Sequence, residues 1–147
     1  MYTDGAVSNN GYENSRGGWA YVILDENDNV VRSASGHVEP ATNNICELMA
    51  LIEGCHAAVE FDREATVVVY TDSSYAQRCY KEGWWRKWLS NGWINSKKER
   101  VANIDLWRKL IPFFRGSHFT FEKCKGHSGD FWNEFVDKLA VKAKEKK

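Results

Sequence analysis

Proline is nearly absent, with Pro40 and Pro112 the only two in 147 residues. No low-complexity tract and no internal repeat interrupts the chain, so composition gives no sign of a linker or a disordered arm. No apolar run approaches the roughly 20 residues of a membrane span, and the N-terminus does not read as a signal peptide. A Cys-x-x-Cys pair is missing too. The four cysteines, Cys46, Cys55, Cys79 and Cys124, are scattered, which argues against a zinc site or a disulfide frame. They are expected to be buried, reduced thiols of a cytoplasmic protein.

Apolar residues make up 43 % of the chain and charged residues 27 %, the balance of an ordinary globular domain. The length suits one domain spanning residues 1–147. The formal net charge is zero, yet the charges are segregated. Residues 1–80 hold 4 Lys and Arg against 12 Asp and Glu, residues 81–109 hold 8 against 3, and residues 110–147 hold 8 against 5. An acidic part can hold metal, while a basic surface can attract an anionic polymer.

The hydrophobic pattern predicts an α/β fold. "YTDGAV" reads as a short strand, and "WAYVIL" and "VVRSASGH" flank the polar "DENDN" turn as an antiparallel hairpin. A helix is predicted from about Ile45 to Glu60, with Thr42, Asn43 and Asn44 all acceptable caps. The β-branched run "ATVVVYT" has the look of a central strand buried on both faces. "SSYAQRCYKEG" reads as a short helix stopped by Gly83, "WWRKWLSNG" as a second, and "NIDLWRKLIPFF" as a helix broken near Pro112. "SHFTFEKC" alternates as a strand, "KGHSGDFW" is a loop, and "NEFVDKLAVKAKE" closes the chain as an amphipathic helix. A mixed sheet with helices on both faces follows.

Four carboxylates need an account. Asp4 and Asp72 each end an apolar strand behind a Tyr-Thr pair, and ligands of α/β sheets bind beyond strand ends. Taken singly, Asp4 can simply start a turn with Gly5, and Asp72 can cap the next helix. Glu47 sits inside the apolar run "ICELMALI". Asn44-x-x-Glu47 has capping-box spacing, but a carboxylate in a helix that is apolar nearly all round is costly unless paired or metal-bound. Asp137 borders the stripe of Val136, Leu139, Ala140 and Ala143, where an ion pair with Lys138 or Lys142 or a plain solvated position also accounts for it. His127, between glycines in "KGHSG", reads alone as a turn residue.

Together the segments "YTDGAVSNNG", "GGWAYVIL", "ATNNICELMAL", "VYTDSSYA", "WWRKWLSNGWINSKKERVANIDLW" and "KCKGHSGDFWNEFVDKLA" resemble type 1 ribonuclease H over essentially the whole chain. The resemblance implies a five-stranded mixed sheet with helices on both faces. It implies a site of Asp4, Glu47, Asp72 and Asp137 holding two Mg²⁺ ions, for which Mn²⁺ can substitute, with His127 assisting product release or proton transfer. Hard oxygen ligands suit Mg²⁺. Substrate would be an RNA–DNA hybrid whose RNA strand is cut to 5′-phosphate and 3′-hydroxyl ends. Asn10, Asn43, Asn44 and Ser74 match positions that read the minor groove and RNA 2′-hydroxyls. Thr42 and Asn103 match a pocket for a DNA phosphate, and Tyr75 and Trp88 match aromatics that lie against DNA sugars. Residues 81–101 match a basic protrusion, where Arg86, Lys87, Lys97, Lys98 and Arg100 would attract phosphates without regard to sequence. Trp84, Trp88 and Trp93 fall in that protrusion, but they can also form a small aromatic core, which for Trp84 can be the whole account.

Some features depart from that pattern. The first strand is short, the Asp4–Gly17 turn is long, Pro40 stands near where some relatives carry a phosphate-binding arginine, and Asp130 and Trp132 make the His127 loop bulkier and more acidic. A monomer with no obligate protein partner and no membrane is expected. Two other readings stay open: the ribonuclease H domain of a reverse transcriptase, and a non-catalytic hybrid-binding module.

Overall fold

The computed structural model describes residues 1–10, 12–124 and 131–145. Five strands, β1 (Tyr2–Ser8), β2 (Arg16–Leu24), β3 (Val30–Val38), β4 (Val67–Thr71) and β5 (Phe119–Lys123), form one sheet in the order β3-β2-β1-β4-β5. Five helices accompany them: α1 (Asn43–Phe61), α2 (Ser74–Glu82), α3 (Trp84–Asn91), α4 (Ile104–Arg115) and α5 (Phe131–Glu145). The first three strands pair antiparallel as a meander, while β1–β4 and β4–β5 are parallel. The expected α/β fold, a five-stranded mixed sheet with helices on both faces, is therefore what the chain adopts.

Two apolar layers hold it. On one face, α1 lies on β1 and β2 with α4 packed behind it, which explains a helix apolar nearly all round. Leu51, Val69, Trp107, Leu110 and Phe121 are at most 2 % exposed in this layer. On the other face α5 packs over β1, β2 and β3, burying Ala20, Val22, Val136 and Ala140. All four cysteines are buried and free, as their spacing predicts.

Three local expectations are corrected. Helix α1 begins at Asn43, not Ile45, because Thr42 is its cap, with Thr42 Oγ1 accepting from Ile45 N at 3.2 Å. Glu47 then lies in the second turn and no capping box forms. Helix α4 runs through Pro112 without breaking. Pro112 is exposed, so the carbonyl deprived of its partner can reach water, while Ile111 and Phe114 anchor the last turn in the core. Strand β4 lies between β1 and the edge strand β5, not at the centre of the sheet, and is not buried on both faces: Val68 is 39 % exposed, because α5 lies over β1–β3 and leaves that side of β4 open.

Candidate active site

Asp4 lies inside β1, not at its end, so the turn reading fails for it. The parallel register sets Tyr2 beside Tyr70, their rings stacked at 4.9 Å. The two Tyr-Thr-Asp triplets therefore run in step, and two residues on from that pair stand Asp4 and Asp72. Asp72 is not a cap either. Ser73 caps α2, its Oγ accepting from Ala76 N at 3.0 Å, which leaves the Asp72 carboxylate to other uses.

Glycine brings the other two carboxylates in. A Cβ on Gly5 would stand 2.7 Å from the Cys46 carbonyl carbon and 2.8 Å from Glu47 N, so α1 rests directly on β1 where Glu47 meets Asp4. On the opposite face a Cβ on Gly18 would collide with the Ala140 carbonyl oxygen, so α5, which carries Asp137, sits equally close to β2. Asp4, Glu47, Asp72 and Asp137 line one hollow of about 530 Å³, together with Asn43, Asn44, Ser74 and Tyr75.

The electrostatics are those of crowded, partly desolvated acids. Asp4 and Glu47 are each 5 % exposed. Burial pushes the Asp4 carboxyl well up, and Glu47, Asp137 and Asp72 push it further. Burial likewise raises Glu47, while the nearby Asp4 carboxyl and Gly5 N–H act in the opposite direction. Gly5 N donates to Asp4 Oδ1 at 2.8 Å, whereas Glu47 Oε1 is buried and accepts no hydrogen bond. Asp137 is exposed and makes no ion pair with Lys138 or Lys142. Lys123 Nζ donates to the Asp72 carbonyl and sets a positive charge near Glu47.

This donor set fits a divalent cation. A buried carboxylate oxygen without a donor costs about 1–3 kcal/mol, a cost that a hard cation removes. Among the described residues, no three His, Cys, Asp or Glu side chains stand close enough to ligate one ion together. Mg²⁺ does not require such a cage, since it keeps several waters and takes one or two carboxylates plus substrate phosphate.

A family profile described as RNase H matches residues 1–145. The chain belongs to the ribonuclease H family. It is 44 % identical over 143 residues to a Ribonuclease H of Syntrophomonas wolfei, covering 97 % of this chain and 93 % of that protein. To a Ribonuclease H of Caldicellulosiruptor saccharolyticus it is 41 % identical over 140 residues, covering 95 % and 91 %. Among solved structures it is similar to the crystal structure of LC9-RNase H1, a type 1 RNase H with the type 2 active-site motif, at 26 % identity and TM-score 0.78, covering 97 % and 70 %. The type 1 resemblance is borne out, and this ribonuclease H family member is an enzyme, a nuclease of the hydrolase class.

Asn10 is exposed beside α1, its Oδ1 accepting from Asn43 N at 3.1 Å, which keeps its NH₂ as a donor. Asn103 caps α4 with φ 60° and no side-chain cap bond, and it lines a hollow of about 280 Å³ with Asn44, Ser73, Tyr75 and Arg100. That hollow adjoins both the carboxylates and a larger one of about 540 Å³ over Tyr75, Trp84, Lys87 and Lys97, so the three make one continuous track. Lys98 is exposed on the turn that follows α3.

Trp88 stands in the aromatic core that was its second reading. It is 4 % exposed and packs against Trp84, Trp93 and Trp107, so only an edge reaches the track, while Tyr75 at 39 % is the more accessible aromatic. His127 and Asp130 lie outside the described residues. Lys123 went unnoticed in the sequence because nothing in "FTFEK" marks it, and only its register opposite Thr71 brings it to Asp72. The close-approach role of Gly5 was legible only in part, as the glycine of "TDG".

Proposed function

We propose that this ribonuclease H is an endonuclease that hydrolyses the RNA strand of RNA–DNA hybrids, leaving 5′-phosphate and 3′-hydroxyl ends. The observation that carries the reading is the single hollow shared by Asp4, Glu47, Asp72 and Asp137 with Asn43, Asn44 and Ser74 on its rim. Two Mg²⁺ ions, or Mn²⁺ in their stead, would be held by the four carboxylates and would supply the activated water and neutralise charge at the departing 3′-oxygen.

The chain's own residues do the rest. Asp4 and Glu47 are fixed by the sheet and by α1, so little reorganisation is needed when the substrate arrives. The amides of Asn10, Asn43 and Asn44 and the Ser74 hydroxyl offer donors and acceptors to RNA 2′-hydroxyls, the groups that distinguish RNA from DNA. The Thr42 hydroxyl proton and the Asn103 amide donate to a phosphate of the DNA strand. Tyr75 lies against a sugar, with Trp88 beneath it. Arg86, Lys87, Lys97, Lys98 and Arg100 hold the backbone electrostatically and let go at high salt. His127 serves proton transfer or product release.

Residues 1–147 act as one catalytic domain, in the cytoplasm, as a monomer. No described helix is long and apolar enough to cross a membrane. The hybrid is also the ligand named for a structural neighbour, a foamy viral protease-reverse transcriptase in complex with an RNA/DNA hybrid, at 21 % identity and TM-score 0.84, of which this chain covers 19 %. The test is a labelled RNA–DNA hybrid incubated with the protein and Mg²⁺, beside Asp72→Asn and an all-DNA duplex. Metal-dependent cutting of the RNA strand alone is expected. Failure to cut, or full activity in Asp72→Asn, refutes the mechanism.

A further inference from the structure

The turn that closes the basic protrusion is fixed by its own backbone. Ile94 and Arg100 form an antiparallel bridge. Between them Asn95 organises the loop: its Oδ1 accepts from Lys97 N at 2.9 Å and from Glu99 N at 3.0 Å, and its N–H donates to Glu99 O at 2.8 Å. Asn91 secures the near end, accepting from Ile94 N and donating to Ile94 O. The backbone of Glu99 therefore has a set position instead of wandering on a free loop.

That position conflicts with the charge around it. Glu99 lines both the hollow over Trp84, Lys87 and Lys97 and the smaller one beside Arg100 and Asn103. Among the described residues it has no ion-pair partner, although Lys97, Lys98 and Arg100 are its neighbours in sequence. An unneutralised carboxylate there repels phosphate, in the part of the track where the other charges, on Lys87, Lys97 and Arg100, attract it.

We propose that Glu99 is an electrostatic brake on the track, an affinity-limiting residue that weakens the hold on strand phosphates between Tyr75 and the protrusion. The inference rests on the proposed seating of nucleic acid along this track. Lysine and arginine bind any polyanion, and their sum grows with each contact. Glu99 offsets part of that sum, which leaves retention to the hydrogen-bonding groups at Asn44, Ser74 and Asn103 and lets the strand leave.

The test is fluorescence anisotropy with a labelled RNA–DNA hybrid in EDTA, at about 50 mM and about 300 mM salt. Wild type is compared with Glu99→Gln, Glu99→Asp and the double variant Lys87→Gln/Lys97→Gln, each checked for an unchanged melting temperature. Glu99→Gln is expected to lower Kd about two- to five-fold at the lower salt, and by less at the higher. Glu99→Asp, which keeps the charge, binds as wild type, and the double variant binds more weakly. Unchanged or weaker binding by Glu99→Gln beside a weakened double variant overturns the brake and leaves the track standing. Equal tightening by Glu99→Asp and Glu99→Gln also overturns it, because shape and not charge would then matter. A double variant with wild-type Kd overturns the track, and the brake with it.

Discussion

A Cβ placed on Gly5 would lie 2.8 Å from the backbone nitrogen of Glu47, closer than side-chain carbons come to a neighbouring backbone. Strand β1, which carries Asp4, and the helix that crosses it thus touch through a missing methyl group. Gly5→Ala must push α1 away from β1. Overpacking of this kind costs about 1–3 kcal/mol, so the melting temperature is expected to fall by several degrees. The shift moves Glu47 relative to Asp4, and cleavage falls by about tenfold or more, since sub-ångström placement governs such sites. Thermal unfolding in EDTA and single-turnover cleavage check both. An unchanged melting temperature would show that the close approach does not constrain α1.

Glu47→Gln separates charge from shape. The side chain stays isosteric but no longer binds a cation well. Near-complete loss of metal-dependent cleavage is expected, with a melting temperature in EDTA equal to or above wild type, because a desolvated carboxylate is removed. Retained cleavage would return Glu47 to a purely structural role.

Much of this was legible in the sequence, for identifiable reasons. Strand β4 is a β-branched run, α2 stops at Gly83 with φ 75°, and the β2–β3 hairpin brackets a turn in which Asp25 Oδ1 accepts from Asn27 N and Asn29 N. These are local signals. What stayed hidden is tertiary. Three successive polar residues could each cap α1, and only the backbone at Thr42 decides which does. The Tyr-Thr-Asp repeat is visible as text, but that Asp4 and Asp72 stand side by side depends on the parallel pairing of β1 with β4. Trp88 reads the same from sequence whether it faces solvent or core, and Lys123 gains its role only through a strand partner.

The raised carboxyls of Asp4 and Glu47 carry a pH signature. The folded state holds these protons more tightly than the unfolded chain, whose carboxyls ionise near about pH 4. No penalty exists below that pH. As pH rises past it, the unfolded chain ionises freely and the folded one does not, so stability falls until the folded groups ionise as well. In EDTA the melting temperature is therefore expected to be lower near about pH 8 than near about pH 5.5, by more in wild type than in Asp4→Asn. Mg²⁺ should raise it, and more so at the higher pH, because the cation competes with protons for the same oxygens. A metal-induced shift that persists unchanged in Asp4→Asn would place the cation elsewhere.

Thr42 has two proposed duties that a pair of variants can split. Its Oγ1 accepts from Ile45 N, and losing such a cap costs about 1 kcal/mol. Thr42→Ala should lower both the melting temperature and the affinity for hybrid, with KM rising more than kcat falls. Thr42→Ser keeps the hydroxyl and should keep both. Hybrid binding unchanged in Thr42→Ala would confine Thr42 to the cap.

The edge strand and the last helix are joined by a histidine. His37 Nδ1 lies 2.9 Å from the Ala143 carbonyl oxygen, near the C-terminal end of α5, and Nε2 lies 3.0 Å from Glu39 Oε2, an ion pair whose angle is poor for a hydrogen bond. Only the protonated ring can donate from Nδ1 to the Ala143 carbonyl and at the same time present a positive Nε2–H to Glu39. Glu39 first, and then the Ala143 carbonyl, raise its pKa, while partial desolvation and Arg16 act against them. The stabilising contribution is therefore complete below the unfolded value of about 6.5 and disappears as pH rises through the folded value. His37→Gln keeps a donor for Ala143 O at every pH but never carries the charge. The melting temperature of wild type should exceed that of His37→Gln by most near about pH 5.5, and the gap should narrow toward about pH 9. Subtracting the two curves cancels the effect of the Asp4 and Glu47 carboxyls, which both proteins share. A gap that is flat with pH, or that widens as pH rises, would mean that His37 joins β3 to α5 as a neutral ring and that its charge contributes nothing.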